Sequence, residues 1–321
     1  MSARIAFVFP GQGSQQVGMG QALAAAFPEA EAALAEAEAA FASAGVNGGA
    51  GVSLRAMLEH GPEDQLTLTE HAQPAILAVS LAAYRVLAAR GLEPGFVAGH
   101  SLGEYSAHVA AGTFSLADGV ALVRRRGRYM QESVPVGTGA MAAILGADAA
   151  LVEQACRDAA DGEIVSPANL NAPGQVVIAG HAAAVARAAA RAKELGARKA
   201  VALTVSAPFH CALMQPAQDR LEPELRAVTA QAPRVPVVAN VDAEPKHDAA
   251  GAIGALVRQV SSPVRWQDVV QRLGAEGVTT YVEVGPGSVL AGLIKKIQKD
   301  AQIVSFNGPE QLDTVLAACL N

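Results

Sequence analysis

A serine at position 101 stands third in the segment GHSLG, between two glycines. The preceding residues, Phe96–Gly99, are typical of a short strand, and Leu102–Ala111 has the pattern of a helix. A G-x-S-x-G sequence at a strand-to-helix corner exposes the serine hydroxyl above a sheet and points the free N–H groups of the helix at it. The residues therefore predict a nucleophile at Ser101, with the amide of Leu102 as an oxyanion donor. An ordinary α/β turn is the alternative interpretation.

A serine hydroxyl is a weak nucleophile without a base, and the chain contains seven histidines. His210 is the candidate base, because it follows a predicted strand where a small inserted domain rejoins the rest of the chain, and clefts form at such junctions. A histidine that only packs in the core is the alternative. His60, His71 and His247 occupy polar, turn-like segments, which indicate solvated side chains. No carboxylate stands out as a triad acid, so a backbone carbonyl is another means of orienting the imidazole.

Three consecutive arginines at residues 124–126 lie in the predicted helix Leu116–Met130. Successive helical residues turn by about 100°, so the three side chains point in different directions, and Arg126 alone shares its face with apolar residues such as Leu122 and Tyr129. A buried guanidinium is unfavourable without an anion. Two explanations remain open: a salt bridge to a distant acidic residue, or a bidentate contact with a carboxylate of the substrate.

The first predicted strand, Arg4–Phe9, runs into the glycine-flanked loop PGQGSQ. The loop departs from the dinucleotide-binding pattern at Gln16, where a third glycine would stand, and it lacks the Gly-Lys-Ser/Thr of a P-loop. Such a loop at the carboxyl end of a strand can still present an amide N–H to a site. Gln12 is therefore the candidate for a second oxyanion donor.

Length and composition limit the class of protein. A chain of 321 residues with 51% hydrophobic and 17% charged residues is typical of a soluble protein of one or two domains. The formal net charge of -6 argues against a uniform nucleic-acid-binding surface. The N-terminal segment lacks the apolar core of a signal peptide, and no apolar run reaches the roughly 18 residues that span a bilayer. We expect no nucleic-acid or membrane partner.

Cysteine usage indicates the redox environment. Cys156, Cys211 and Cys319 form an odd set without a C-x-x-C pair, which argues against a disulfide framework or a zinc site. We therefore expect a reducing, cytoplasmic location and no bound metal. Cys211 follows His210, which suggests a nucleophile, but a small buried spacer is the expected role.

The elements that must position these groups alternate between strand and helix. Gln21–Ala44 is predicted as helical with a break at Pro28, and Gln73–Arg90 as a helix with Pro74 near its first turn. Val46–Gly51 is predicted as a flexible loop. In the last third of the chain, strands are predicted at Val235–Asn240 and Thr280–Val284, and helices at Trp266–Gly274 and Val289–Gln298.

The middle of the chain, Val134–Ser206, has the order β-α-β-β-α-β of a ferredoxin-like unit. Its predicted strands are Met141–Leu145, Ile164–Leu170, Gln175–Ala179 and Lys199–Val205, its helices are Ala147–Ala160 and Ala182–Leu195, and residues 171–174 form a turn. We therefore expect an α/β fold with two domains. A large α/β-hydrolase or patatin-like domain with a parallel sheet would comprise residues 1–133 and 207–321, and a ferredoxin-like small domain residues 134–206.

Six motifs occur in the order FVFPGQGSQ, GHSLGEYSAHVAAG, RGRYMQ, NAPGQVVIAG, APFHCALM and VEVGPGSVL. Together they closely resemble the malonyl-CoA:acyl carrier protein transacylase family of type II fatty acid synthesis and the related acyltransferase domains of polyketide synthases. The resemblance extends over nearly the whole chain. It implies transfer of a malonyl group from malonyl-CoA to the phosphopantetheine thiol of holo acyl carrier protein through a malonyl-serine ester, without a permanently bound cofactor.

The resemblance also implies roles for individual residues. Ser101 is the nucleophile, His210 the base, and Arg126 the ligand of the malonyl carboxylate. The amides of Gln12 and Leu102 form the oxyanion hole.

Three further roles come from the same resemblance. Gln259 matches the residue whose main-chain carbonyl orients the histidine, which explains the missing triad acid. Phe209, with Leu102, matches the malonyl-selective pattern, in which a bulky ring crowds an α-methyl group. Carrier proteins of this pathway are acidic and bind transiently, which implies a basic docking patch; the candidates are Lys295, Lys296 and Lys299, and Arg191, Lys193, Arg198 and Lys199.

Three other functions remain open from the sequence. A stand-alone, trans-acting acyltransferase for polyketide synthesis would share all these residues. A serine acyl hydrolase of patatin-like or α/β-hydrolase type would use the same corner but would leave Arg126 without a purpose. A non-catalytic scaffold subunit would keep the fold and form no acyl-enzyme.

Overall fold

A computed structural model describes residues 4–44, 52–205 and 207–320; the predicted loop Val46–Gly51 lies outside them. The strands are β1 (Ile5–Phe9), β2 (Phe96–Gly99), β3 (Gly139–Leu145), β4 (Val165–Ala172), β5 (Gln175–His181), β6 (Lys199–Ala202), β7 (Val237–Val238), β8 (Pro245–Lys246), β9 (Thr280–Val284) and β10 (Gln302–Phe306). The α-helices are α1 (Gln21–Ala26), α2 (Pro28–Ser43), α3 (Leu54–His60), α4 (Glu63–Thr67), α5 (Thr69–Ala88), α6 (Leu102–Ala110), α7 (Leu116–Glu132), α8 (Ala149–Ala159), α9 (Ala182–Glu194), α10 (Gln215–Ala227), α11 (Ala249–Gln259), α12 (Trp266–Ala275), α13 (Val289–Ile297) and α14 (Leu312–Leu320).

The larger sheet has six strands in the order β10-β9-β1-β2-β7-β8. The pairs from β10 to β7 are parallel, and β8 runs antiparallel to β7. Alternate residues of β1 face opposite layers: Phe7 and Phe9 pack in the core that contains α5, α6 and α7, whereas Ala6 and Val8 pack with Trp266 of α12. Helices cover both faces of this sheet, which is why every residue of β1 is apolar and buried.

The smaller sheet has the order β4-β5-β3-β6, and its neighbouring strands are antiparallel. Helices α8 and α9 cover one face, with Ile144 in the core between them and the sheet. The other face packs Met141 against Cys211 of the larger unit. The amide of Leu170 in β4 also donates to the carbonyl of Val264 at 2.9 Å. The smaller sheet is therefore attached to the larger unit through a backbone hydrogen bond as well as side-chain packing.

Three parallel strands of the larger sheet end side by side. β1 leads to Gln12, β2 leads to Ser101, and β7 leads to Asn240. Ligands of open α/β sheets bind at the carboxyl ends of the strands. The topology therefore brings these three residues to the edge where a site is expected.

The structure corrects the predicted start of α5 and the environment of one histidine. The helix begins at Thr69 rather than Gln73, so Pro74 lies inside it, and His71 near its start is buried rather than solvated. Nearly all of α5 is enclosed by neighbouring elements, and tertiary packing supplies most of a helix's stability. The length of this helix is therefore set by tertiary packing, which cannot be predicted from the residues near the ends of the helix.

Two predicted strands are shorter than expected. The strand predicted to reach Val205 ends at Ala202, and Val235–Asn240 is reduced to the two residues of β7. The predicted turn residues Asn171 and Ala172 belong to β4. The residues after Ala202 leave the sheet and line a cavity. The sequence analysis also missed α3, α4, α10, α11, α14, β8 and β10.

Candidate active site

The corner between β2 and α6 depends on two glycines. Ser101 has φ 52° and ψ -105°, a left-handed conformation that non-glycine residues rarely adopt. A Cβ on Gly99 would lie 2.0 Å from the backbone of Gly103, and a Cβ on Gly103 would lie 2.0 Å from the carbonyl oxygen of Phe9. The glycines therefore let the strand, the helix and β1 approach closely, and the corner presents the Ser101 side chain to the cavity.

Ser101 and His210 are in direct contact. The distance from Ser101 Oγ to His210 Nε2 is 2.6 Å. His210 Nδ1 lies 3.1 Å from the carbonyl oxygen of Gln259 and 3.2 Å from that of Ser262. Carbonyl oxygens only accept hydrogen bonds, so Nδ1 carries the proton and Nε2 accepts from the serine hydroxyl. Among the described residues, backbone carbonyls rather than a carboxylate orient this imidazole.

The environment of His210 keeps the imidazole neutral. Burial lowers the pKa of His210 to about 3, and the positive charge of Arg126 acts in the same direction. The side chain is only 3% exposed, so little water reaches it to stabilise the cation. His210 is therefore in the protonation state that a general base requires at neutral pH.

Arg126 reaches the same point from α7. Its Nη1 donates to Gln73 Oε1 at 2.9 Å, and its Nη2 donates to Gln259 Oε1 at 2.9 Å and to Ser101 Oγ at 3.1 Å. The side chain is 1% exposed, and Nε has no partner in the described part of the chain. No distant acidic residue forms a salt bridge with it among these residues. The cation therefore keeps donors for an external anion.

Gln12 and Leu102 flank the serine. A Cβ on Gly11 would lie 2.5 Å from the carbonyl oxygen of His100, so the loop after β1 presses directly against the corner. Among the hydrogen bonds between described residues, none uses the amide N–H of Gln12 or Leu102. The Leu102 amide is also the first of α6, where helix N–H groups carry partial positive charge. Both amide N–H groups are therefore without a hydrogen-bond partner among the described residues, close to Ser101.

A cavity of about 490 Å³ contains these groups. Its volume lies within the range of small-molecule sites. Its polar wall includes Ser101, Arg126, His210 and Gln12, together with Gln15, Asp64, Thr67, Gln73, His100, Asn169 and Thr204. The apolar part of the wall consists of Leu68, Met130, Met141, Leu203, Val205 and Phe209. The cavity therefore combines polar groups around Ser101 with a separate set of apolar side chains.

A buried polar layer below the serine was missed by the sequence analysis. It consists of Glu104, Asn240 and the side chain of Gln259, all 0% exposed. Glu104 lies within the GHSLGEY motif, and Asn240 follows a strand next to β2. The position of Asn240 after that strand was a usable signal, but the adjacency of β7 to β2 is a property of the tertiary structure.

The cysteines lie apart from this chemistry. All three are unpaired. The Cys211 thiol donates to the carbonyl oxygen of Pro208 at 3.1 Å, and burial raises the pKa of this thiol to about 11. The group is therefore a thiol rather than a nucleophilic thiolate at neutral pH.

Residues 4–44, 52–205 and 207–320 contain no group of three or more His, Cys, Asp or Glu side chains arranged to hold a metal ion. In the same ranges, no helix combines the length and the apolar character needed to cross a bilayer.

Comparison with known proteins gives consistent matches over the chain. Residues 6–312 match the family model described as an acyl transferase domain. The chain is 49% identical over 314 residues to the malonyl CoA-acyl carrier protein transacylase of Escherichia coli strain K12, covering 98% of this chain and 99% of that protein. It is 44% identical to the protein of the same description from Bacillus subtilis strain 168, covering 98% of this chain and 96% of that protein.

Solved structures agree with these matches. The crystal structure of an acyl carrier protein S-malonyltransferase from Vibrio cholerae is 47% identical with a TM-score of 0.92, covering 97% of this chain and 99% of that chain. A malonyl-transacylase in complex with its type II polyketide synthase acyl carrier protein is 45% identical with a TM-score of 0.92, covering 99% of this chain and all (100%) of that chain.

Proposed function

The chain belongs to the family of malonyl-CoA:acyl carrier protein transacylases, and from this premise we propose that Ser101, His210 and Arg126 carry out the reaction. The enzyme transfers the malonyl group from malonyl-CoA to the phosphopantetheine thiol of holo acyl carrier protein. One observation carries the assignment of these residues. Ser101 Oγ lies 2.6 Å from the base and 3.1 Å from the guanidinium, although the three residues are far apart in the sequence.

The first half-reaction forms the acyl-enzyme. His210 Nε2 takes the proton of Ser101 as Oγ attacks the thioester carbonyl, and the carbonyl electron pair moves onto oxygen. The amides of Gln12 and Leu102 stabilise this oxyanion, and one such donor typically contributes about 3 kcal/mol to the transition state. The C–S bond then breaks, His210 returns the proton to the departing CoA sulfur, and a malonyl-serine ester remains.

The second half-reaction reverses these steps with a different thiol. His210 removes the proton from the phosphopantetheine thiol as its sulfur attacks the malonyl-serine carbonyl. The oxyanion collapses, the C–O bond to Ser101 breaks, and His210 returns the proton to Oγ. CoA leaves before the carrier protein reacts, so the kinetics are ping-pong.

Arg126 supplies the selectivity for a dicarboxylic acyl group. The malonyl carboxylate binds the guanidinium, which has five N–H donors and uses three in the contacts to Gln73, Gln259 and Ser101. This contact holds the reacting carbonyl near Oγ and favours malonyl over neutral acyl groups. Binding of the malonyl carboxylate explains why Arg126 lies beside the nucleophile, whereas a serine hydrolase would not need a cation at this position.

Phe209 restricts the acyl pocket. It stands immediately before the base and lines the cavity with Met130 and Met141. A branch at the α-carbon of the acyl group would have to displace this ring, since tightly packed walls tolerate added methyl groups poorly. We therefore assign Phe209 the discrimination against methylmalonyl groups.

The domain division proposed is a large α/β-hydrolase or patatin-like domain of residues 1–133 and 207–321 with an inserted ferredoxin-like domain of residues 134–206. The antiparallel order β4-β5-β3-β6 with two helices on one face supports the second description. The three unpaired cysteines support a reducing, cytoplasmic location. The proposed reaction requires no permanently bound cofactor.

The acyl carrier protein is proposed to dock where the two basic clusters approach each other. Lys296 donates to the side chain of Gln175 at 3.1 Å. Leu145 of β3 lies between Gln175 of β5 and Lys199 of β6, and it pairs with both residues in the sheet. Strands are about 4.8 Å apart, so Lys199 lies about 10 Å from Gln175. We define the docking surface as these two lysines together with their sequence neighbours Lys295, Lys299 and Arg198.

Arg191 contributes less to that surface, because it is already paired with Asp158 and Glu194. Strand β6 leads from Lys199 to the cavity-lining Leu203. Lys199 therefore lies about 13 Å along the chain from the cavity wall.

Incubation with malonyl-CoA, with and without holo carrier protein, tests the proposal. Intact mass spectrometry should show a malonyl adduct on the wild-type enzyme that carrier protein removes, while CoA release shows one burst. Ser101→Ala should show no adduct. Rapid release of free malonate without an acceptor would instead identify a hydrolase, and absence of any adduct on the wild type would identify a scaffold.

A role in polyketide synthesis is a second candidate, favoured by the structural neighbour that binds a type II polyketide synthase carrier protein. Comparison of kcat/KM with carrier proteins from the two pathways distinguishes the two roles. A preference for the polyketide carrier would favour the second.

A further inference from the structure

The strained backbone of Ser101 is held from both sides by side chains. The Ser101 amide donates to Asn240 Oδ1 at 2.7 Å, and the Ser101 carbonyl accepts from Gln259 Nε2 at 2.8 Å. Asn240 Nδ2 also donates to the carbonyl of Gly99 at 2.7 Å. A left-handed serine persists only where its surroundings enforce it. These two amide side chains do so together with the backbone amide of Glu104, which also donates to the Ser101 carbonyl at 3.1 Å.

Both amide residues are anchored by one buried carboxylate. Glu104 Oε2 accepts from the backbone amide of Asn240 at 3.0 Å and from Gln259 Nε2 at 2.9 Å. Glu104 lies on the first turn of α6, directly below the serine, and is 0% exposed. Its other oxygen, Oε1, has no partner among the described residues. One oxygen atom therefore holds the two groups that hold the nucleophile.

The same carboxylate faces the buried cation through an amide. Gln259 Oε1 accepts from Arg126 Nη2 while Gln259 Nε2 donates to Glu104. Burial raises the pKa of Glu104 to about 7, and the hydrogen bonds from Gln259 and Asn240 oppose the shift. Oε2 can accept both hydrogen bonds whether Glu104 is ionised or neutral, because the proton of a neutral carboxyl can reside on Oε1.

We propose that Glu104 is a positioning residue for acyl transfer: through Oε2 it fixes Asn240 and Gln259, which hold the Ser101 backbone in its reactive conformation. The proposal rests on the transacylase function argued above. What matters is the acceptor atom, not the negative charge.

Two substitutions of Glu104 distinguish the effect of losing the hydrogen-bond acceptor from the effect of disturbed packing. Glu104→Gln keeps one oxygen for both donors and puts an NH₂ group in place of the unpartnered Oε1, so Tm should fall while the malonylation rate stays within about threefold of wild type. Glu104→Met keeps the volume but removes the acceptor, and the malonylation rate should fall about 100-fold. Ser106→Ala, at a buried hydroxyl without a partner on the same helix, is the matched control and should keep the wild-type rate.

A second readout uses phenylmethanesulfonyl fluoride, which reacts with the serine and carries no carboxylate. Glu104→Met should slow sulfonylation and malonylation by similar factors, because both need the same Ser101 geometry. If Glu104→Met does not fold, Asn240→Leu removes the next link and should slow both reactions. Equal rates for wild type and Glu104→Met, or loss in proportion to Tm across both Glu104 variants, would overturn the proposal. A wild type that forms no malonyl adduct would instead refute the transacylase assignment.

Discussion

Ser101 and His210 both have positive φ angles, 52° and 59°. Each such residue costs about 1–3 kcal/mol. Nearby hydrogen bonds offset this conformational strain. Side chains bind the Ser101 amide and carbonyl, and two backbone carbonyls accept from the His210 ring. The 2.6 Å contact between Oγ and Nε2 is therefore set by backbone constraints rather than by chance approach of flexible side chains.

Arg126→Ala should impair malonyl transfer much more than acetyl transfer. A hydrogen bond to a charged group contributes about 1.5–3 kcal/mol, so kcat/KM for malonyl-CoA should fall about 10- to 100-fold more than for acetyl-CoA. CoA release measured with both donors checks this. Arg125→Ala is the control, because Arg125 precedes Arg126 on α7 and its side chain pairs at the surface with Glu224 of α10. Equal losses with both donors would mean that Arg126 is structural.

His108→Leu should flatten the acid dependence of stability. Burial lowers the pKa of His108 to about 3, against about 6.5 in an unfolded chain. Between these values the unfolded state binds a proton that the folded state does not, so stability is present above pH 6.5 and is lost as the pH falls. The slope is up to about 1.4 kcal/mol per pH unit for each such histidine.

Urea unfolding of wild type and His108→Leu at several pH values between about 6 and 4 measures this slope. The variant should lack the contribution of one histidine, while that of His210, whose pKa is lowered in the same way, remains. An unchanged slope would show that His108 binds its proton in the folded state.

At the scale of elements, the site depends on helices and strands whose backbones approach so closely that only glycine fits at the points of contact. A Cβ on Gly127 in α7 would lie 2.5 Å from the carbonyl oxygen of Thr69 in α5. This contact draws α7 toward α5 at the residue next to Arg126. The guanidinium therefore reaches the serine from a helix that packs closely against α5.

Gly103→Ala should destabilise the protein severely. The added Cβ would lie 2.0 Å from the carbonyl oxygen of Phe9 and 2.9 Å from that of Pro10, and neither backbone can move without disturbing β1. Overpacking of this kind costs about 1–3 kcal/mol or more. Urea unfolding midpoints of the variant and wild type measure the loss.

The matched control is Gly292→Ala in α13, where a Cβ would meet nothing within 4 Å. Helix propensity predicts a stabilisation of about 0.5–1 kcal/mol there. A wild-type midpoint for Gly103→Ala would contradict the close approach of α6 to β1.

At the scale of the whole molecule, the position of the small sheet determines the shape of the site. The chain leaves β6, lines the cavity at Leu203 and Val205, and then reaches Phe209 and His210. The bond from Leu170 to Val264 fixes the opposite edge of that sheet to the larger unit. The base and one cavity wall therefore depend on how the two units pack.

Charge reversal at the proposed docking surface should weaken carrier protein use without affecting acylation. Lys199→Glu and Lys296→Glu together should raise the KM for holo carrier protein several-fold and reduce its salt dependence, because charge attraction steers association. The rate of malonyl adduct formation should stay unchanged. Arg226→Glu on α10 is the control for a charge reversal elsewhere. An unchanged carrier KM would remove this surface as the docking site.

The local sequence was sufficient for groups whose chemistry depends on their neighbours in the chain. The glycines around Ser101 specify a tight corner, and the period of α7 separates Arg126 from the two arginines before it. The β-α-β-β-α-β order follows from short-range patterns with clear turns. These predictions succeed because turn formation and helical periodicity act over a few residues.

Only the tertiary structure decided which distant groups meet. The adjacency of β7 to β2 brings Asn240 to the Ser101 amide, and the packing of α11 brings Gln259 to both the serine and Glu104. No local pattern reports such pairings, because strand order and helix packing are settled by burial over the whole molecule. The same burial sets the length of α5 and lowers the pKa of His210, two properties that a residue's sequence neighbours do not determine.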